Sequence, residues 1–205
     1  FFNSGCRFDN YWEQTGVSSL AVTLASNYRL SSVVDEQPVM SDVDFTSFDI
    51  SLLADKKLKK ESVYALLYYT GYLTIDTYDG TFITLDFPNR EVSTSFTSNL
   101  LSRYTDSSPS RIMWWGKAFA EACSTGDDEA VRRSLEDYFS AFSYELIGDE
   151  RERFYHGIFH SIFVIASLFA VSEDRGMRGR ADEVLIAGSH IWIFELKVDR
   201  TADEA

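Results

Sequence analysis

The sequence predicts an α+β chain, on three observations. Residues 72–77 (YLTIDT) and 81–87 (TFITLDF) are rich in β-branched and aromatic side chains and flank Tyr78-Asp79-Gly80, a turn whose glycine can take positive φ. Two further apolar runs flank Gly188-Ser189 near the C-terminus and read as a second hairpin. Around these stand helix-length stretches that open on polar, capping residues. The expected organisation is a mainly helical linking region over residues 1–147, carrying the first hairpin at about 72–87, and a C-terminal unit over residues 148–205.

In chain order, residues 11–30 read as a helical region, followed by a Ser- and Asp-rich stretch over 31–49. Residues 41–55 suggest a loop and capped helix starts. The basic run Lys56-Lys57-Leu58-Lys59-Lys60 fits the solvated face of a helix continuing through residues 61–69. The first hairpin could serve as the wing of a nucleic-acid reader, but packing against neighbouring helices is the expected role. Helices are expected over 91–104, 110–123 and 127–142, with Ser93, Ser110 and Asp127-Asp128 at their starts. Trp114 and Trp115 read as packing residues. Gly148-Asp149 marks the boundary into the C-terminal unit. Residues 154–171 (FYHGIFHSIFVIASLFAV) approach the length and apolarity of a membrane span, yet they hold His156 and His160, and no second span accompanies them. A helix buried on all sides is expected instead.

Composition bounds the function. Of 205 residues, 45% are hydrophobic and 15% aromatic, enough to build real cores and to exclude disorder. Lys and Arg number 19 against 32 Asp and Glu, a net charge of -13. A broad nucleic-acid or anionic-membrane face is therefore not expected, and any phosphate contact must be local. Cys6 and Cys123 lie far apart without paired spacing, so both are expected as thiols in a cytoplasmic compartment. The opening Phe1-Phe2-Asn3 has no signal-peptide pattern and reads as part of a longer polypeptide.

The chemistry concentrates in residues 179–197. A two-residue loop at Gly188-Ser189 pairs Ala187 with His190, and counting back sets Asp182 opposite Glu195. The same register pairs Val184 with Ile193 and Ile186 with Ile191 on one face, and Glu183 with Phe194 and Leu185 with Trp192 on the other. Both faces are mostly apolar, as in a sheet covered on two sides. Facing carboxylates repel, more strongly where water is scarce. A divalent cation turns that repulsion into coordination, since Mg²⁺ takes one or two carboxylates plus water and phosphate oxygens. Lys197 follows Glu195 by two residues and shares its face, where it can orient water or hold a scissile phosphate. The plainer alternative is a solvated Asp at a strand start and a Glu–Lys pair at a strand end. His156 and His160 (HxxxH) lack the glutamate of a zinc protease, since residue 157 is glycine.

Arg178-Gly179-Arg180-Ala181-Asp182, followed by Ile193-Phe194-Glu195-Leu196-Lys197-Val198-Asp199, resembles the motif region of PD-(D/E)xK nuclease-like domains. It is most similar to those fused behind an AAA-ATPase-like domain in bacterial proteins of largely unknown role. Upstream, residues 10–16 (NYWEQTG) are similar to a motif near the end of that ATPase part. Residues 70–75 (TGYLTI) and 87–92 (FPNREV) resemble the linking region, and Phe154-Tyr155-His156-Gly157 adds to the match.

The resemblance implies a restriction-endonuclease-like αβββαβ core whose first helix runs from about residue 149 to 170. It implies a Mg²⁺- or Mn²⁺-dependent nuclease acting on nucleic acid, DNA in the first instance. Asp182 and Glu195 would hold the metal, Lys197 would position the nucleophile or stabilise transition-state charge, and Glu152 on the first helix would assist. Glu150 is the substitute for Glu152. His156, one helical turn from Glu152, and Glu173 on the first strand are supporting residues. Arg175, Arg178 and Arg180 would meet the phosphate backbone, or else pair with nearby acids in a solvated loop. The implied core lacks its second helix and last strand, which leaves an apolar edge available to another chain, a second copy included. The alternative function is a non-catalytic regulatory or docking module of the ATPase, the expected upstream partner. No membrane partner is expected.

Overall fold

The structure is a computed structural model that describes residues 39–41, 60–142, 151–167 and 183–196, with the backbone alone for 60 and 151–154. The fold is α+β, with helices and small antiparallel sheets. The chain divides into two compact units, residues 1–96 and 97–205.

In the first unit, helix α1 (Lys60–Tyr69) buries Val63, Tyr64, Ala65, Leu66 and Leu67 in succession, so the helix is enclosed on nearly all sides. It ends in a Schellman turn: Gly71, at φ 82, donates to Tyr68 O, while Tyr72 N–H reaches back to Leu67 O. Strands β2 (Thr74–Tyr78) and β3 (Phe82–Asp86) then form the expected hairpin, with a bulge between Ile75 and Thr77. Asp79 accepts the amides of Phe82 and Thr81 across the turn, and those two bonds hold its carboxyl below the usual range. The hairpin packs rather than standing free, with Ile83 and Leu85 in the core.

A third strand, β1 (Val39–Ser41), pairs with β3 to give the order β1-β3-β2. The sequence suggests only a polar stretch there. Three residues are too few to show alternation, and Met40 alone supplies the buried contact. The expected helical region at 11–30 lies outside the described residues, as do Lys56, Lys57, Leu58 and Lys59.

Helix α2 (Arg90–Leu101) begins before Ser93: Asn89 accepts from Val92 N–H and serves as its cap. Helix α3 (Pro109–Thr125) is capped by Ser108 rather than Ser110, because Pro109 suits the first helical position. Helix α4 (Asp128–Ser140) is capped by Asp127, as expected. Trp115 is buried edge-on against Tyr138, whose hydroxyl bonds Ser161 of helix α5 (Arg151–Ala166) at 2.6 Å. Trp114 departs from expectation: it is half exposed, with the Arg111 guanidinium stacked on it at 4.5 Å.

Helix α5 falls within the 149–170 span expected for it, whose residues 149–150 and 168–170 lie outside the described ones, and among the described residues no helix is long and apolar enough to cross a membrane. Ile158, Phe159, Ile162, Phe163, Ile165 and Ala166 are all buried, as expected of an enclosed helix. Its crossing with α3 is close enough that a Cβ on Gly116 would stand 2.3 Å from Ile165 Cγ2. Thus α3 and α4, which the sequence places in the linking region, share the core on which the C-terminal hairpin rests.

Candidate functional site

The C-terminal hairpin joins β4 (Glu183–Ala187) to β5 (His190–Phe194) through Gly188-Ser189, and its register is the expected one. Ala187 pairs with His190, Ile186 with Ile191, Leu185 with Trp192, Val184 with Ile193 and Glu183 with Phe194. One face seats on α3 and α5. Leu185 and Ala187 are buried there, and the Phe194 ring lies 5.1 Å from Phe163, 5.9 Å from Phe119 and 6.0 Å from Phe159.

The hairpin tip completes the C-terminus of α3. Trp192 Nε1–H donates to Cys123 O at 2.9 Å, and His190 Nδ1 donates to Ser124 O at 3.2 Å. Cys123 O also accepts the Gly126 amide that closes the helix, and because the last helix carbonyls lack full intrahelical pairing, these tertiary donors add to the closure of its end. Cys123 itself is buried, which pushes its thiol up to about 12 and removes it as a nucleophile at neutral pH.

The opposite face corrects one expectation. Ile191 is 69% and Ile193 71% exposed, so among the described residues the sheet is covered on one side rather than two. Glu195 continues that alternation just past β5 and is likewise exposed. It therefore stands on the open face, where water has access, while α5 packs on the covered one.

On the covered face, Glu183 meets His160 of α5 through a hydrogen bond between Oε1 and Nδ1. The two side chains are 17% and 32% exposed. In the sequence His160 stands out only as half of an HxxxH pair, with no local pattern joining it to Glu183. A signal was present: Glu183 shares a strand face with Leu185 and Ala187, and a carboxylate on a covered face needs a partner. His156 is half-buried one turn earlier on α5. No group of three metal-type ligands forms among the described residues, the HxxxH pair included.

Of the proposed catalytic set, Glu195 is described in full, and Glu152 lies in the first turn of α5 with only its backbone described. Asp182, Lys197, Glu173, Arg175, Arg178 and Arg180 lie outside the described residues.

Residues 150–205 match a family model described as the PD-(D/E)XK nuclease superfamily. The chain is 25% identical over 199 residues to the "Uncharacterized protein in vnfD 5'region" of Azotobacter chroococcum mcd 1. That similarity covers 93% of this chain, and the chain spans 37% of the relative's length. No solved structure matches.

Proposed function

We propose that residues 148–205 act as a divalent-metal-dependent nuclease domain that hydrolyses nucleic-acid phosphodiesters within a larger, ATPase-linked protein of the cytoplasm. The observation that supports this best is the β4–β5 register. Continued by one pair, it would set Asp182 opposite Glu195 at the end of the hairpin, within the segment that matches the nuclease family. Two carboxylates at an exposed strand end are the oxygen donors that Mg²⁺ or Mn²⁺ accepts alongside water and phosphate, so the residues suit the metal.

In this reading Asp182 and Glu195 hold the cation, which when bound supplies charge neutralisation at the scissile phosphate. Lys197 contributes a fixed positive charge on the same face, orienting water in line with the leaving oxygen and stabilising charge as it builds. Arg175, Arg178 and Arg180 supply the local backbone contacts that an acidic protein otherwise lacks, and Glu173 supports the site entrance. Glu152 is given an assisting role only, because α5 packs on the face opposite Glu195. A docking module is the second reading, favoured by the net charge of -13 and the exposed Ile191 and Ile193.

The test is cleavage of plasmid and single-stranded DNA in Mg²⁺ and Mn²⁺, with Lys197→Ala alongside the native chain. Loss of at least about 10²-fold in rate is expected for the variant, the scale of one preorganised electrostatic group. Equal cleavage by both would refute the assignment of Lys197. Metal binding without any cleavage would favour the docking module.

A further inference from the structure

We infer that His160 and Glu183 are positioning residues for the proposed metal site, a role that rests on the nuclease reading above. Their hydrogen bond ties α5 to the first residue of β4, one position after Asp182 in sequence. Side chains alternate along a strand, so in the one-pair extension proposed above Asp182 would take the direction opposite to Glu183. Glu183 turns onto the covered face beside Phe194, whose ring is enclosed by Phe119, Phe159 and Phe163. Without His160 its carboxylate would be left poorly solvated there, and its route back to water is a rotation of the strand end. The same rotation would carry Asp182 out of line with Glu195. The bond also fixes the position of α5 along β4, and with it Glu152, two turns before His160 and about 12 Å along the helix axis.

This is the relation that outer groups bear to metal ligands, where a hydrogen bond from behind sets the direction of the ligand in front. It differs from a purely structural bond in its consequence. Tyr138–Ser161 also joins α5 to a neighbouring element, but at a fully buried point remote in sequence from the carboxylate pair. Losing Tyr138–Ser161 should cost stability alone, whereas losing His160–Glu183 should cost metal affinity and turnover.

The experiment compares native chain, His160→Ala, His160→Gln/Glu183→Gln and Tyr138→Phe. It reads Mn²⁺ affinity from the free-ion EPR signal, kcat and KM for DNA cleavage, and Tm. His160→Ala should weaken Mn²⁺ binding and lower kcat by about 10- to 100-fold, with KM for DNA little changed. The paired glutamines can still bond to one another and should restore most of both losses, which separates positioning from direct ligation. Tyr138→Phe should lower Tm while leaving Mn²⁺ affinity and kcat as in the native chain. If His160→Ala loses Tm but keeps native Mn²⁺ affinity and kcat, the positioning role is wrong while the nuclease reading stands. If the paired glutamines fold yet remain as impaired as His160→Ala, the hydrogen bond is not what positions the site. A native chain that neither binds Mn²⁺ nor cleaves overturns both readings together.

Discussion

Replacing Glu195 with glutamine is expected to stabilise the metal-free chain and to remove most of its cleavage activity. The two effects share one cause. In the proposed site Asp182 would face Glu195 one pair beyond the β4–β5 ladder, so without a cation their charges would repel. Neutralising one partner relieves that repulsion. A directly opposed pair is worth up to about 1 kcal/mol, or a rise of about 2–4 °C in the Tm measured in EDTA. The same change removes a charged metal ligand. Addition of Mg²⁺ or Mn²⁺, which at about a hundred times its dissociation constant would stabilise the native protein by about 2.7 kcal/mol, should then give little further rise. Cleavage should fall at least about 10²-fold. Melting curves with and without metal, beside a cleavage assay, read all three quantities. A variant that melts lower in EDTA and still gains stability from the metal would place Glu195 in an ordinary solvated ion pair instead.

The second large effect concerns the platform beneath the hairpin. Glycine within a helix ordinarily costs about 0.8–1.0 kcal/mol relative to alanine, so Gly116→Ala would be stabilising at an open position. Here the added Cβ would stand 2.3 Å from Ile165 Cγ2, 2.9 Å from Ile165 Cβ and 3.2 Å from the backbone nitrogen of Ala166. Ile165 and Ala166 are both fully buried, so neither has room to yield. Overpacking of this kind costs about 1–3 kcal/mol, and the net result should be a loss of about 1–2 kcal/mol. Differential scanning calorimetry should show it as a lower Tm. Adding Ile165→Ala removes the nearest atom, so the double variant should lose less than the sum of the two single losses. Additive losses would mean that the two helices separate freely at this crossing.

The contrast between what was legible in the sequence and what was not follows from the range of the interactions. The β4–β5 register could be counted from Gly188-Ser189, because a two-residue loop dictates the pairing of every residue that follows. Asp127 was readable as a cap for the same reason, its partner being only three residues away. Ser110 misled because Ser108 and Pro109 together make the better start. The pairing of β1 with β3 joins residues about 40 apart through three positions, too short a signature to stand out from its polar surroundings. The His160–Glu183 bond spans 23 residues and depends on which strand face meets α5, which no local pattern specifies. The open face of Ile191 and Ile193 was hidden for the opposite reason: an apolar strand does not announce which of its sides is covered. Of the candidate site, the sequence supplies the residue types and their pairing, and the structure adds the clasp behind them.

The two attachments of the hairpin also enclose very different lengths of chain, which bears on the order of assembly. The clasp to α5 closes across 23 residues, whereas the Trp192 and His190 bonds to the end of α3 close across 69 and 66. Closing the longer loop costs about 1 kcal/mol more in chain entropy. Seating of β4 on α5 should therefore precede docking of the tip, and the tip should be the first part of the hairpin to lift away. Native-state hydrogen exchange would show this as lower protection at His190 than at Leu185, and the reverse order would count against it. The end proposed to bind metal would then be the anchored end, while the distal turn opens and closes without disturbing it.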